Sequence, residues 1–265
     1  MIMYLKIITN IKLIILTLIC ITLTKISESN MSAYYKANQT TYRLSSSNGT
    51  NYTIKIIQGD LLNLQEIDNN LFSSYTIVNA ANEYLQLGGG IAGAIRMADT
   101  SGAVQKECDI FLRNKNIEKI PVGTSVVTTS GSLKKTKSIA HIIHAVGPDC
   151  REKKQKSAFA HLLQTTYAYI FKSVIDFNKS TQDPMQKIKT VACPSISTGI
   201  FAGPIEQAAT IAANTIVQNM YNYAYAYNQN APKTFIMVAY SDKDFQVYAN
   251  AFDQAVQKQP EFIKQ

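Results

Sequence analysis

From residue 52 onward, short β-branched and aromatic runs alternate with longer stretches in which apolar residues recur every three or four positions. The first pattern suits strands, and the second suits helices that bury one face. Strands are predicted over 52–58, 75–78, 124–129, 138–146, 188–194 and 234–240, and helices over about 91–100, 101–114, 157–178, 204–224 and 242–257. This alternation predicts an α/β fold: a three-layer α/β/α sandwich with a mixed, largely parallel central sheet. Ligands of such sheets sit outside the carboxyl ends of the strands, so chemistry is expected in the loops that leave them. Residues 30–50, with S-S-S-N-G-T near their end, read as a polar leader, and the folded domain is expected over 51–260. No internal repeat is evident.

The first residues follow a different pattern. Lys6 and Lys12 precede or flank an apolar run, 13–24, that is short for a membrane span and matches the core of an export signal. Residues 1–29 are therefore expected to direct export and be removed near Ser27 or Ser29, with retention as an N-terminal membrane anchor as the alternative. The rest of the chain, within a total of 265 residues that are 46% hydrophobic and 17% charged, is enough for one ordinary domain. The formal charge of +8 attracts an anionic ligand, nucleic acid or a membrane surface without choosing among them. Of the four cysteines, Cys20 lies in the expected signal. Cys108, Cys150 and Cys193 have neither the number nor the spacing of a disulfide framework or a zinc site.

The richest chemistry lies in T-I-V-N-A-A-N-E-Y-L-Q-L-G-G-G-I-A-G-A-I, 76–95. Asn79 and Asn82 are expected to follow a short strand, where carboxamides both donate to and accept from sugar hydroxyls. Gly88, Gly89 and Gly90 let a ligand approach the main chain, and the helix start that follows favours a phosphate. Gly59-Asp60 closes another strand with a carboxylate that accepts hydrogen bonds or shapes a turn. Pro194-Ser195-Ile196-Ser197-Thr198-Gly199-Ile200-Phe201 has the small residues of an anion nest, with an aromatic ring at its end. His144 ends a further apolar run and reads as a core or turn histidine satisfied by backbone.

Several of these segments, in this order, make the chain similar to a macro domain, the ADP-ribose-binding module. The resemblance rests on G-D-L, V-N-A-A-N, G-G-G-I-A-G-A-I, P-V-G-T at 121–124, I-I-H-A-V-G-P and I-S-T-G-I-F, and spans roughly 51–258. It implies that Asp60, with Leu61 beside it, binds the adenine amino group and that Tyr240 stacks on the base. Gly88, Gly89, Gly90 and Ile91, with Ser197, Thr198, Gly199, Ile200 and Phe201, would cradle the diphosphate. Asn79 and Asn82 belong to the ribose side, with Asn82 as the catalytic residue and Phe201 packed nearby.

The resemblance implies binding of ADP-ribose and hydrolysis of mono-ADP-ribosyl adducts, either protein carboxylate esters or O-acetyl-ADP-ribose, by a monomer that needs neither metal nor cofactor. A non-catalytic reader of ADP-ribosylated proteins is the alternative, and nucleic acid is a subordinate partner. Three departures bear on that choice. Ala92 stands where one hydrolytic branch has an aspartate, Leu87 where viral relatives often have a histidine, and Ala202 where glycine usually follows the aromatic residue.

Overall fold

The computed structural model describes residues 38–46, 48–67, 75–226 and 228–265, and the expected export segment lies outside them. Among the described residues, eight strands form one sheet: β1 Gln39–Ser45, β2 Asn51–Gln58, β3 Tyr75–Ala81, β4 Ser125–Thr129, β5 Ile139–Val146, β6 Thr190–Pro194, β7 Thr234–Ala239 and β8 Ile263–Lys264. Their order is β4-β5-β3-β6-β7-β2-β1-β8. The inner strands from β5 to β2 run parallel. Antiparallel pairing appears only toward the margins, at β4, β1 and β8.

The helices are α1 Leu64–Ile67, α2 Gly90–Ala98, α3 Ala103–Lys115, α4 Leu133–Thr136, α5 Lys153–Ser157, α6 Phe159–Ser180, α7 Ile205–Tyr225 and α8 Asp242–Val256. On one face of the sheet, Tyr167 and Phe171 of α6, Ile216 of α7 and Phe252 of α8 pack with Val78, Val191 and Phe235. On the other, Ile95 of α2 and Val104 of α3 pack with Ile77, Ala192 and Ile236. Neighbouring strand residues thus enter opposite cores, which is why these strands read as continuous apolar runs. No described helix is long and apolar enough to cross a membrane.

The expected polar leader is corrected by β1, which pairs along its whole length with β2. Only Tyr42 and Leu44 of β1 are buried, so its outward face keeps a polar composition that hides the strand. The Tyr42 hydroxyl donates to Asp253 of α8 at 2.8 Å, tying this strand to the helical layer. β8 pairs with β1 in turn, so the folded unit runs past both expected limits, from Asn38 to Gln265.

β3 is also longer than its apolar run, and that places Asn79 inside the sheet rather than after it. Asn79 is buried and donates through Nδ2 to Nδ1 of His144 at 3.1 Å. His144 is wholly buried as expected, but side chains rather than backbone satisfy it. Its Nε2–H donates to the Thr128 hydroxyl at 2.9 Å, and that hydroxyl donates to the Thr129 carbonyl at 2.8 Å. This arrangement suits the neutral imidazole, and burial pushes its pKa down from 6.5 to about 4.

The sign of the pH dependence follows. Above pH 6.5 the imidazole is neutral whether folded or unfolded, whereas between 6.5 and 4 only the unfolded chain takes up the proton. Stability should therefore be full above 6.5 and fall by about 3 kcal/mol as the pH drops to 4. Urea melts of the wild type and His144→Gln across that range check this: the variant should lose most of the slope. An equal slope in both would place the pH dependence elsewhere.

Candidate functional site

The carboxyl ends of β2, β3, β5, β6 and β7 point the same way because these strands are parallel, and the five loops that leave them meet around one cleft. Its volume is about 820 Å³, and its walls come from 59–61, 80–82, 88–92, Gly147, Arg151, 194–201 and Tyr240, with Ala94, Ile205, Val238 and Asp244. The parallel topology therefore gathers segments up to 185 residues apart in the chain, from Gly59 to Asp244.

Asp60 and Tyr240 come from the ends of neighbouring strands, since β2 pairs with β7. Asp60 also serves the turn that follows it: its carboxylate accepts from the Leu62 amide at 3.0 Å and from the Asn63 carboxamide at 2.8 Å. These contacts fix the carboxylate at the cleft without using all its acceptor sites, so the turn-forming and ligand-facing readings hold together. Tyr240 is 83% exposed, an aromatic face with little protein against it.

The two small-residue loops approach each other across the cleft. The tip of Ile200 lies 3.0 Å from where a Gly89 Cβ would stand. Gly90 has φ +60°, a conformation that favours glycine, and begins α2, whose first-turn N–H groups lack intrahelical acceptors. Farther into α2, a Cβ on Gly93 would stand 2.6 Å from the Gly88 carbonyl oxygen. The absence of a side chain there lets the loop fold back onto its own helix.

In the opposing loop, Ser197 and Ala202 both have positive φ, +68° and +53°. The Ala202 amide donates to Gly199 at 2.9 Å and the Gly203 amide to Ser197 at 2.8 Å. The loop thus keeps a tight turn although Ala202 replaces the expected glycine, at the cost of left-handed backbone on a residue with a Cβ.

Asn82 has a dual position. It lines the cleft, yet its Oδ1 accepts from the amides of Tyr84 and Gln86 at 3.0 and 3.2 Å, and its Nδ2 donates to the Gln86 carbonyl at 2.9 Å. One Nδ2–H remains for a ligand. Phe201 lies at the same end, with the Arg151 guanidinium 5.5 Å from its ring centre. Asp149 holds Arg151 in a two-pronged ion pair, Nε to Oδ1 at 2.9 Å and Nη2 to Oδ2 at 2.6 Å. That guanidinium in turn keeps the Asp149 carboxyl below the usual carboxylate range.

All the expected site residues but one line the cleft: Asp60, Leu61, Asn82, Gly88, Gly89, Gly90, Ile91, Ser197, Thr198, Gly199, Ile200, Phe201 and Tyr240. Asn79 is the exception and is corrected, because strand alternation turns it toward His144. Sequence reasoning missed Arg151, Gly147 and Asp244. Gly147 is the next-to-last residue of the I-I-H-A-V-G-P run, and its missing side chain leaves room for Ile196 and Ser197, either of which a Cβ would meet at 2.4 Å. Arg151 follows that run by only a few residues, and this proximity was its one sequence signal.

A layered α/β domain with a nucleotide-sized cleft at the carboxyl ends of parallel strands defines the class. The chain belongs to the Macro domain family, whose sequence model matches residues 78–212. It is 32% identical over 201 residues to a macro domain-containing protein of Caldanaerobacter subterraneus, covering 76% of this chain and 96% of that one. It is 36% identical over 163 residues to a Pantoea vagans protein named O-acetyl-ADP-ribose deacetylase 1, covering 62% of this chain and 80% of the relative. Among solved structures, the Oceanobacillus iheyensis macrodomain with ADP superposes with a TM-score of 0.63 at 26% identity, over 83% of this chain and 99% of that one.

Proposed function

We propose that this domain binds ADP-ribose in the cleft and hydrolyses mono-ADP-ribosyl adducts, either protein carboxylate esters or O-acetyl-ADP-ribose. The observation that carries the proposal is the order of groups along one cavity. Asp60 and Tyr240 come from adjacent strand ends and suit an adenine amino group and ring. The Gly88–Ile91 and Ser197–Phe201 loops face each other and suit a diphosphate, and Asn82 with Phe201 suits the distal ribose. ADP in the Oceanobacillus iheyensis structure and the deacetylase name of the Pantoea vagans relative support the same reading.

In this reading positioning supplies most of the rate. The loops hold the diphosphate with backbone donors, and the free Nδ2–H of Asn82 orients a ribose hydroxyl or the attacking water. One observation favours the second reading, a reader that binds and releases modified proteins unchanged: Ala92 puts a methyl group on the cleft wall where a carboxylate would activate water.

Calorimetry and label release separate these outcomes. ADP-ribose should bind the wild type, and Asp60→Ala should weaken it about tenfold through loss of a charged hydrogen bond. Equal affinity in wild type and variant would overturn the ligand placement. Radiolabel lost from a mono-ADP-ribosylated glutamate peptide supports the hydrolase, whereas saturable binding with no loss of label selects the reader.

A further inference from the structure

A second, smaller cavity of about 160 Å³ opens beside the cleft, and Asn82, Gly147, Arg151 and Phe201 line both. The shared residues are those at the distal-ribose end in the proposed placement. The smaller chamber adjoins the distal ribose in that placement and has room for roughly five water volumes. An acetyl group or the end of an acidic side chain fits within it.

Among the described residues that line either cavity, Arg151 is the one cation. Its guanidinium is held from below by Asp149 and lies against the Phe201 ring. The surrounding chain is locked as well: the Cys150 amide donates to the Phe201 carbonyl at 2.8 Å, and the Asp149 amide donates to Gln155 at 2.8 Å. The carboxylates of the smaller chamber already have partners, Glu83 with Lys119 at 3.0 Å, Glu152 with Gln155 at 2.7 Å, and Asp149 with Arg151 itself. Nη1 of Arg151 makes no hydrogen bond within the described residues, leaving N–H donors on a fixed cation at the boundary of the two chambers.

We propose that Arg151 is the receptor for the carboxylate released by the reaction and that the smaller chamber holds the acyl group or acidic side chain that bears it. This rests on the hydrolase reading. Water adds its oxygen to the acyl carbon, the acyl C–O bond breaks, and its electron pair goes to the ribose oxygen. That oxygen takes one of the water's protons, and the other passes to solvent as the acid ionises. Negative charge therefore grows on the acyl oxygens during the step, and a guanidinium fork already in place stabilises it more than it stabilises the neutral ester. The assignment gives the site a charged donor on the acyl side, whereas Ala92 adds only a methyl group to the cleft wall.

The test uses the full chain with two substrates, O-acetyl-ADP-ribose and a mono-ADP-ribosylated glutamate peptide, and follows kcat together with the Kd of free ADP-ribose. Arg151→Met should lower kcat about 30-fold on both substrates while the ADP-ribose Kd stays within about threefold, which also shows that the variant is folded. Arg151→Lys, which keeps the charge but not the fork, should recover only part of the loss. An unchanged kcat in Arg151→Met overturns the proposal and leaves the hydrolase reading standing. A loss confined to ADP-ribose affinity also overturns it, by assigning Arg151 to the diphosphate. A wild type that binds ADP-ribose but releases no acid removes the hydrolase reading, and this inference with it.

Discussion

Gly93→Val is expected to weaken ADP-ribose binding at least 100-fold and to destabilise the domain by about 4 kcal/mol, the upper end for forcing side-chain atoms into a packed site. The reason is geometric. A Cβ at this position would stand 2.6 Å from the Gly88 carbonyl oxygen, and that neighbour is backbone, so no rotamer change relieves the contact. Either α2 or the Gly88–Gly90 loop must move, and both belong to the cleft wall facing Ile200. An ångström of displacement is enough to misalign backbone donors with a diphosphate. Urea melts and calorimetry read the two effects separately. A variant of wild-type affinity would show that the glycine loop does not contact the ligand.

Turnover of a mono-ADP-ribosylated glutamate peptide should fall about 1,000-fold in both Asn82→Ala and Asn82→Asp, the scale of removing one well-placed polar group from a reacting centre. Their stabilities should differ. Alanine removes the acceptor of two amides and the donor to the Gln86 carbonyl, so the 83–87 turn loses three side-chain contacts and keeps those that Gln105 makes to Leu85 and Leu87. Aspartate keeps both acceptor contacts and loses the donor, so its melting temperature should stay near that of the wild type while alanine costs about 2 kcal/mol. Near-wild-type turnover in Asn82→Asp would show that Asn82 shapes the loop without acting on the substrate.

The α2, α3, α6, α7 and α8 helices were legible within a few residues because each is long, with an apolar face at helical spacing. The inner strands were legible for the complementary reason, being buried on both sides. Of the marginal strands, β4 was legible within one residue, whereas β1 and β8 were not. β1 shows half its surface to solvent and carries threonine, arginine and glutamine there, so its composition resembles that of a leader. β8 has only two residues, too few for any pattern. β3 hid its end because Asn79 breaks the apolar run without breaking the strand: its Nδ2 is met by His144 on the neighbouring strand, while its Oδ1 is buried without a hydrogen-bond partner among the described residues.

Thirteen of the fourteen expected site residues line the cleft because they lie in loops that leave the carboxyl ends of parallel strands, where Gly88 to Gly90 and Gly199 have no side chain with which to build core. Asn79 failed because polarity in a sequence does not say whether the partner is a ligand or another buried side chain. Arg151 was passed over for a related reason: a single arginine after a turn looks like any solvated charge until Asp149 and Phe201 are seen to fix it.

Local periodicity and small residues at strand ends carry the α/β/α class and the loops that form the cleft, and the ordered motifs carry the resemblance to the family. That Asn79 is core and that Arg151 stands between two chambers emerged only from the folded chain. Those facts depend on contacts between residues far apart in the sequence, Asn79 with His144 and Arg151 with Phe201, whose pairing sets where each side chain points and which of its polar atoms remain available.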